Sequence, residues 1–322
     1  MSVHASRALL VAGPPRDGIT IDLSIVIPAF NEAFRLPAVL DALRHHVDPS
    51  TTEIIVVDDG SSDGTAHIAH RTTEWVKHLV VLEHEVNRGK GAAVRTGVAA
   101  ARGAVIAFVD ADNATDLAAL TPMVAALGPN VGAVFGSRHA PGSSVTGAPA
   151  IRGLMGRAFN HVVQRAAGTS IRDTQCGAKV FRASAARLAF AATAIDGFAF
   201  DVEILRRLLA MGVGVVEYPV TWQYVHGTKI TVATPLRMLR DIVRIRLSKE
   251  PPAPGYFDIP YRVEFRDLVA PLFPADHLID GQPCRIVFPF ESSEIADVLD
   301  GLGENPVPKR AASWAALVDA AG

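Results

Sequence analysis

Cysteine is nearly absent from this chain: Cys176 and Cys284 are the only two, far apart, and no Cys/His spacing resembles a zinc site. That excludes a disulfide-stapled fold and makes reduced cytoplasmic thiols the expectation. Long hydrophobic runs are lacking too. No apolar run approaches the roughly 18 residues needed to cross a bilayer, and Arg7-Ala8-Leu9-Leu10-Val11 is too short for a signal-peptide core. Nor is there an excess of one charge. The formal net charge of −2 gives no basic field that would argue for nucleic acid. Internal repeats and low-complexity blocks are missing as well. What the chain does have is apolar content, 49% of 322 residues, enough for one large domain and a small appendage.

The apolar residues fall in an ordered way. Leu23 to Pro28 runs into Ala29-Phe30-Asn31-Glu32, and Glu53 to Val57 runs into Asp58-Asp59-Gly60-Ser61-Ser62-Asp63-Gly64-Thr65. Segments of helical period follow, from Glu32 to about His46 and from Thr65 to about Val76. This alternation is that of a parallel sheet flanked by helices. Val80-Val81-Leu82 comes next, then Asn87-Arg88-Gly89-Lys90-Gly91 opening an Ala-rich helix to Arg102. Lys90 either meets an anion at that helix start or is a solvated loop lysine.

The run Ala107-Phe108-Val109 ends on Asp110-Ala111-Asp112. In open α/β sheets ligands sit beyond the carboxyl ends of the strands, and hard divalent cations take oxygen ligands. The pair therefore suits Mg²⁺ or Mn²⁺ holding a phosphate, although Asp112 could equally cap the following segment. Gly142 to Pro149 reads as a flexible loop that could close over a substrate or simply connect.

Taken in order, Ile-Pro-Ala-Phe-Asn-Glu, Val-Asp-Asp-Gly-Ser-Ser-Asp-Gly-Thr, Asn-Arg-Gly-Lys-Gly, Asp-Ala-Asp, Gly136-Ser137-Arg138 and Asp173-Thr174-Gln175-Cys176-Gly177-Ala178-Lys179-Val180-Phe181 resemble inverting family-two glycosyltransferases with the GT-A fold. Among these they resemble the polyprenyl-phosphate sugar synthases. The strings Phe198 to Glu203, Glu217 to Trp222 and Gly227-Thr228-Lys229 lean to the dolichyl-phosphate β-glucosyltransferase branch. The resemblance covers about residues 21–249. It implies a metal-dependent hexosyl transfer from a nucleoside diphosphate sugar, UDP-glucose foremost, to a polyprenyl phosphate. Pro28, Phe30 and Glu32 would line the nucleoside pocket, with Val57 and Asp59 beside base and ribose and Lys90 near the anion. Asp110, Ala111 and Asp112 would meet sugar and diphosphate, Asp112 leading as metal ligand. Arg138 and Lys229 would face phosphates, and Arg152 is a further candidate for the acceptor phosphate. Arg138 as a surface ion pair and Lys229 as a solvated loop residue are the structural alternatives. Ala114, Phe30 and Gln223 depart from the mannose branch, where glutamine, tyrosine and arginine are usual.

Two rival functions keep the same donor site. One uses a soluble hydroxyl acceptor and needs a base, for which Asp201 is the candidate, unless Asp201 merely caps its helix. The other is a nucleotide-sugar-binding scaffold without turnover. Pro235 to Lys249 reads as a basic amphipathic helix, either lying on an anionic cytoplasmic membrane face or packed as an ordinary terminal helix. Residues 1–20 read as a loose arm and 250–254 as a linker, while 255–322 read as a small α+β appendage for an unidentified partner. In that appendage Arg285 to Phe290 reads as a strand and Ser293 to Leu302 as a helix.

Overall fold

The computed structural model of the chain describes residues 21–72, 75–128, 130–147, 163–164, 169, 171–191, 193–225, 233–247, 256–260 and 283–287. Its centre is a seven-stranded sheet. The strands are β1 (Leu23–Ala29), β2 (Thr52–Asp58), β3 (His78–Glu83), β4 (Val105–Val109), β5 (Ala133–Ser137), β7 (Ala178–Arg182) and β8 (Val215–Pro219), in the order β3-β2-β1-β4-β7-β5-β8. Strand β7 runs antiparallel to both β4 and β5, and the other pairings are parallel. Two short strands, β6 (Ser144–Thr146) and β9 (Thr221–Gln223), form a separate parallel pair.

Helices cover both faces, which is why the central strands read as unbroken apolar runs. Ile25, Ile27, Ile54 and Val56 face one cluster with Leu36, Val39, Leu40 and Leu43 of α1 (Leu36–Arg44), Ala69 of α2 (Thr65–Thr72) and Met123 of α4 (Leu120–Ala125). Val26, Ile55, Ile106 and Phe108 face the other, with α3 (Lys90–Ala100), α5 (Ala183–Ala191), α6 (Phe200–Ala210) and α7 (Ala233–Leu247). Phe108 lies 5.7 Å from Phe200 and 6.4 Å from Phe181, and burying such a ring is worth about 1.5–3 kcal/mol. This aromatic cluster fixes the end of β4, two residues before Asp110.

Several boundaries differ from the sequence expectation. Helix α1 starts at Leu36 rather than Glu32, because Asn31 is left-handed (φ 51°) and Pro37 favours the first helical turn. The loop expected over 142–149 contains β6, whose residues take β9 as a partner. Helix α7 is present, and of the appendage the structure describes only an antiparallel ladder of β10 (Tyr256–Pro260) and β11 (Pro283–Val287). Residues 288–290, the helix expected over 293–302 and the 1–20 arm lie outside the described residues.

Candidate active site

Register brings the chemistry to one edge. Ala29 pairs with Asp58, and Val26 with Phe108, so β1 and β2 end level and β4 ends within two residues of them. The loops that leave them are bonded together. Asn31 N donates to Ser61 Oγ and Glu32 N to Thr65 Oγ1, both at 2.8 Å, and Ala33 N donates to Asp63 Oδ2 at 3.0 Å. Glu32 is forked to Arg35 at 2.6 Å. Asp59 accepts from Arg88 N (2.9 Å) and Gly89 N (2.7 Å), and its Oδ1 lies 2.6 Å from His84 Nδ1. Both Asp59 oxygens are therefore engaged in fixing the turn that starts α3, where Gly89 has φ 107°. Lys90 is the first residue of that helix.

Asp110 and Asp112 follow β4. Asp110 N donates to Gly177 O at 2.9 Å, and Lys90 Nζ lies 2.6 Å from Asp110 Oδ1. Burial works against the Lys90 ammonium, but Asp110 and Asp201 outweigh it and hold its pKa above the ordinary lysine value. Asp112 Oδ1 accepts from Ala114 N at 3.0 Å across a turn in which Asn113 is left-handed (φ 55°). Helix capping falls to Asp116 instead, whose side chain accepts from Ala118 N. Burial, and then the charge of Asp110, push the Asp112 carboxyl above its usual range. Two carboxylates crowded at a strand end, one with an oxygen already on a lysine, are a donor set that suits a divalent cation. No cluster of three or more candidate ligands occurs among the described residues, so diphosphate or water would have to complete the shell.

Beneath this pair lies a second ion pair. Lys179 Nζ is 2.9 Å from Asp201 Oδ1, donates to Cys176 O at 2.7 Å, and sits over the Phe108 and Phe135 rings. Asp201 is 3% exposed. It lies in the first turn of α6, whose N-cap is Ala199 without a side-chain bond, so Asp201 is not the cap.

Arg138 leaves β5 on the other side. Its Nε and Nη2 fork onto Asp173 at 2.7 and 2.9 Å, its backbone N also donates to Asp173, and its guanidinium lies 5.5 Å from the Trp222 ring centre. Asp173 is wholly buried, so the surface-pair alternative for Arg138 does not hold. Burial opposes ionisation of Asp173, but the bonds and charge of Arg138 hold its pKa at about 2. Burial is likewise outweighed at Arg138, whose pKa is raised by Asp173.

Pro28 and Val57 are buried register partners, and Val57 belongs to the core. Phe30 is half-buried and Ala111 buried. Lys229 and Arg152 lie outside the described residues. An open pocket of about 380 Å³ at the ends of β2 and β3 is lined by Asp58, Gly60, Ser61, Glu83, His84 and Glu85. It excludes Asp110 and Asp112, and its acidic wall suits a diphosphate poorly. Sequence reasoning missed Lys179, Asp173 and Gly177 as site residues. The lysine inside the apolar run Ala178 to Phe181 was the available signal, since a lysine there must find a buried partner.

The profile of glycosyl transferase family 2 matches residues 24–188, which span β1 through α5 and include both carboxylates. The chain belongs to glycosyltransferase family 2. It is a glycosyltransferase with the GT-A fold. Among its family-2 relatives, the dolichyl-phosphate beta-glucosyltransferase of Dictyostelium discoideum is 35% identical over 76% of this chain and 79% of its own. The human enzyme of that name is 34% identical over 72% and 76%, and that of Saccharomyces cerevisiae 31% over 76% and 80%. Among solved structures, glucosyl-3-phosphoglycerate synthase from Mycobacterium tuberculosis with uridine diphosphate superposes with TM-score 0.54, at 18% identity over 74% of this chain and 84% of that one. The same enzyme with Mn²⁺, uridine diphosphate and phosphoglyceric acid gives 0.53, at 16% identity over 84% and 88%. At such identities the likeness is one of fold.

Proposed function

We propose that this family-2 enzyme transfers glucose from UDP-glucose to a polyprenyl phosphate, with Mg²⁺ or Mn²⁺ held by Asp112 and assisted by Asp110. The observation that carries the reading is the crowding of Asp110 and Asp112 just past the end of β4, with Lys90 Nζ 2.6 Å from Asp110 Oδ1. The names of the relatives support glucose and the lipid phosphate. When bound, a divalent cation would stabilise the charge that grows on the departing diphosphate. Lys90 keeps Asp110 oriented from the start of α3, and the loops around Glu32 and Asp59 shape the nucleoside side. Arg138, fixed on two nitrogens by Asp173, keeps Nη1 without a partner among the described residues and offers it to the acceptor phosphate.

The acceptor oxygen attacks the anomeric carbon from the face opposite the diphosphate. The new carbon–oxygen bond forms as the bond to the β-phosphate oxygen breaks, and its electron pair leaves on the nucleoside diphosphate. A phosphate monoester ionises a second time near pH 6, so the nucleophile is anionic at neutral pH and needs no base. The burial of Asp201 on Lys179 supports this over the hydroxyl-acceptor rival, which would want that carboxylate accessible. Asp201 and Lys179 thus position the floor of the site.

No helix among the described residues is long and apolar enough to cross a membrane. Helix α7 supports contact from the membrane surface. Ile242 and Ile245 are buried, yet Leu239, Val243 and Leu247 form a second stripe at 45%, 50% and 76% exposure. Arg237, Arg240, Arg244 and Arg246 are exposed around it, the composition that seats on anionic lipid. The donor is tested by thermal shift against UDP- and GDP-sugars with Mn²⁺. A ligand at 100 times its dissociation constant stabilises by about 2.7 kcal/mol. UDP-glucose should produce the shift, and a response to GDP-mannose alone would reject the assignment.

A further inference from the structure

Strand β9 joins the two halves of the site. On one side Gln223 N donates to Ala114 O at 2.8 Å, Asp116 N donates to Thr221 O at 3.0 Å, and Thr115 bridges Trp222. On the other, Trp222 is the register partner of Val145 in β6. Partners in a ladder point to the same side, so Val145 and Trp222 share a face. The Trp222 and Tyr224 rings are 6.3 Å apart. Val145 is 45% exposed and Trp222 half-buried. Thr115 follows Asp112 by three residues, at most roughly 10 Å of chain. The face therefore lies close to the carboxylates, with the Arg138 guanidinium against Trp222.

A cation beside an apolar aromatic face complements a particular chemistry, an anionic head attached directly to a hydrocarbon chain. We infer that Trp222 and Val145 seat the first isoprene units of the acceptor while Arg138 takes its phosphate, an inference that rests on the polyprenyl phosphate reading above. A free sugar or a phosphorylated hydroxy acid would place polar groups on that face and lose water contacts without replacement. Trp222 thereby has two roles, holding the guanidinium plane and selecting for the chain.

The two are separated by comparing geranyl phosphate with methyl phosphate, each measured as acceptor or as competitive inhibitor. Trp222→Ala should raise KM or Ki for geranyl phosphate at least tenfold more than for methyl phosphate, with UDP-glucose binding unchanged. Val145→Asp, at an exposed position that leaves the fold intact, should do the same and carries the test if Trp222→Ala does not fold. Equal losses on both phosphates would reduce Trp222 to a positioning residue for Arg138 and overturn the inference, as would no loss on either. A wild-type enzyme that neither glucosylates nor binds any prenyl phosphate would instead overturn the acceptor reading itself.

Discussion

Gly177 lies so close to Asp110 that a β-carbon on it would stand 2.5 Å from Asp110 Oδ2 and 2.6 Å from Cγ. The residue leading into the antiparallel strand β7 thus supplies the floor on which the first carboxylate rests, through a hydrogen bond from Asp110 N and through the absence of a side chain. Asp110 is held on the other side by Lys90.

Gly177→Ala should therefore displace Asp110, costing about 1–3 kcal/mol of stability and lowering the transfer rate by more than tenfold. Gly128→Ala is the control, because a β-carbon there meets nothing within 4 Å. Melting curves and initial rates of both variants check this. A Gly177→Ala enzyme with unchanged rate and melting temperature would mean that Asp110 is not held where the structure has it.

The Arg138–Asp173 pair makes stability fall in acid. A carboxyl held at about 2 against an ordinary 3.8 corresponds to about 2 kcal/mol. Because the folded-state pKa is the depressed one, that contribution is complete above about pH 4 and is lost as pH falls towards 2. Asp173→Asn should melt lower at pH 7 by leaving Arg138 short of its partner, and should lose the steep part of the decline between pH 4 and 2. Denaturant midpoints measured across this range check it, and an unchanged acid slope in the variant would assign the effect to other carboxylates.

Replacing Arg237, Arg240, Arg244 and Arg246 with glutamine should weaken co-sedimentation with vesicles of anionic phospholipid and lower activity on long-chain acceptors. Raising ionic strength on the native protein should do the same, while UDP-glucose binding stays constant. Vesicle binding indifferent to both changes would remove the docking role of α7.

Strands β1, β2 and β4 were legible because they are buried on both faces and carry their apolar runs without interruption. The carboxyl-edge loops were legible because each run stops on polar residues. Pairings across long separations were not. Arg138 and Asp173 stand 35 residues apart, and each was visible as a motif member while their fork was not. The antiparallel β7 was hidden for a different reason. Its lysine reads as polar until the Asp201 carboxylate, delivered by α6, neutralises it inside the core. The β6 segment reads as a loop because its serines, threonine and glycines match turn composition, and only β9 gives its backbone a partner. The place of Asp59 at the carboxyl edge was legible from the polar stop of its run, but its engagement with the 88–89 turn depends on that turn folding back over β2.

The most direct test of the account is transfer itself. Purified enzyme is incubated with radiolabelled UDP-glucose, phytanyl phosphate and Mn²⁺, and label is counted in the organic phase. Label should enter the lipid fraction as the β-linked glucosyl phosphate. EDTA or Asp112→Ala should cut the rate by at least ~100-fold, with Asp112→Ala also weakening UDP-glucose binding in Mn²⁺. Label that remains in the aqueous phase, or lipid labelling that proceeds undiminished in EDTA and in Asp112→Ala, would contradict it.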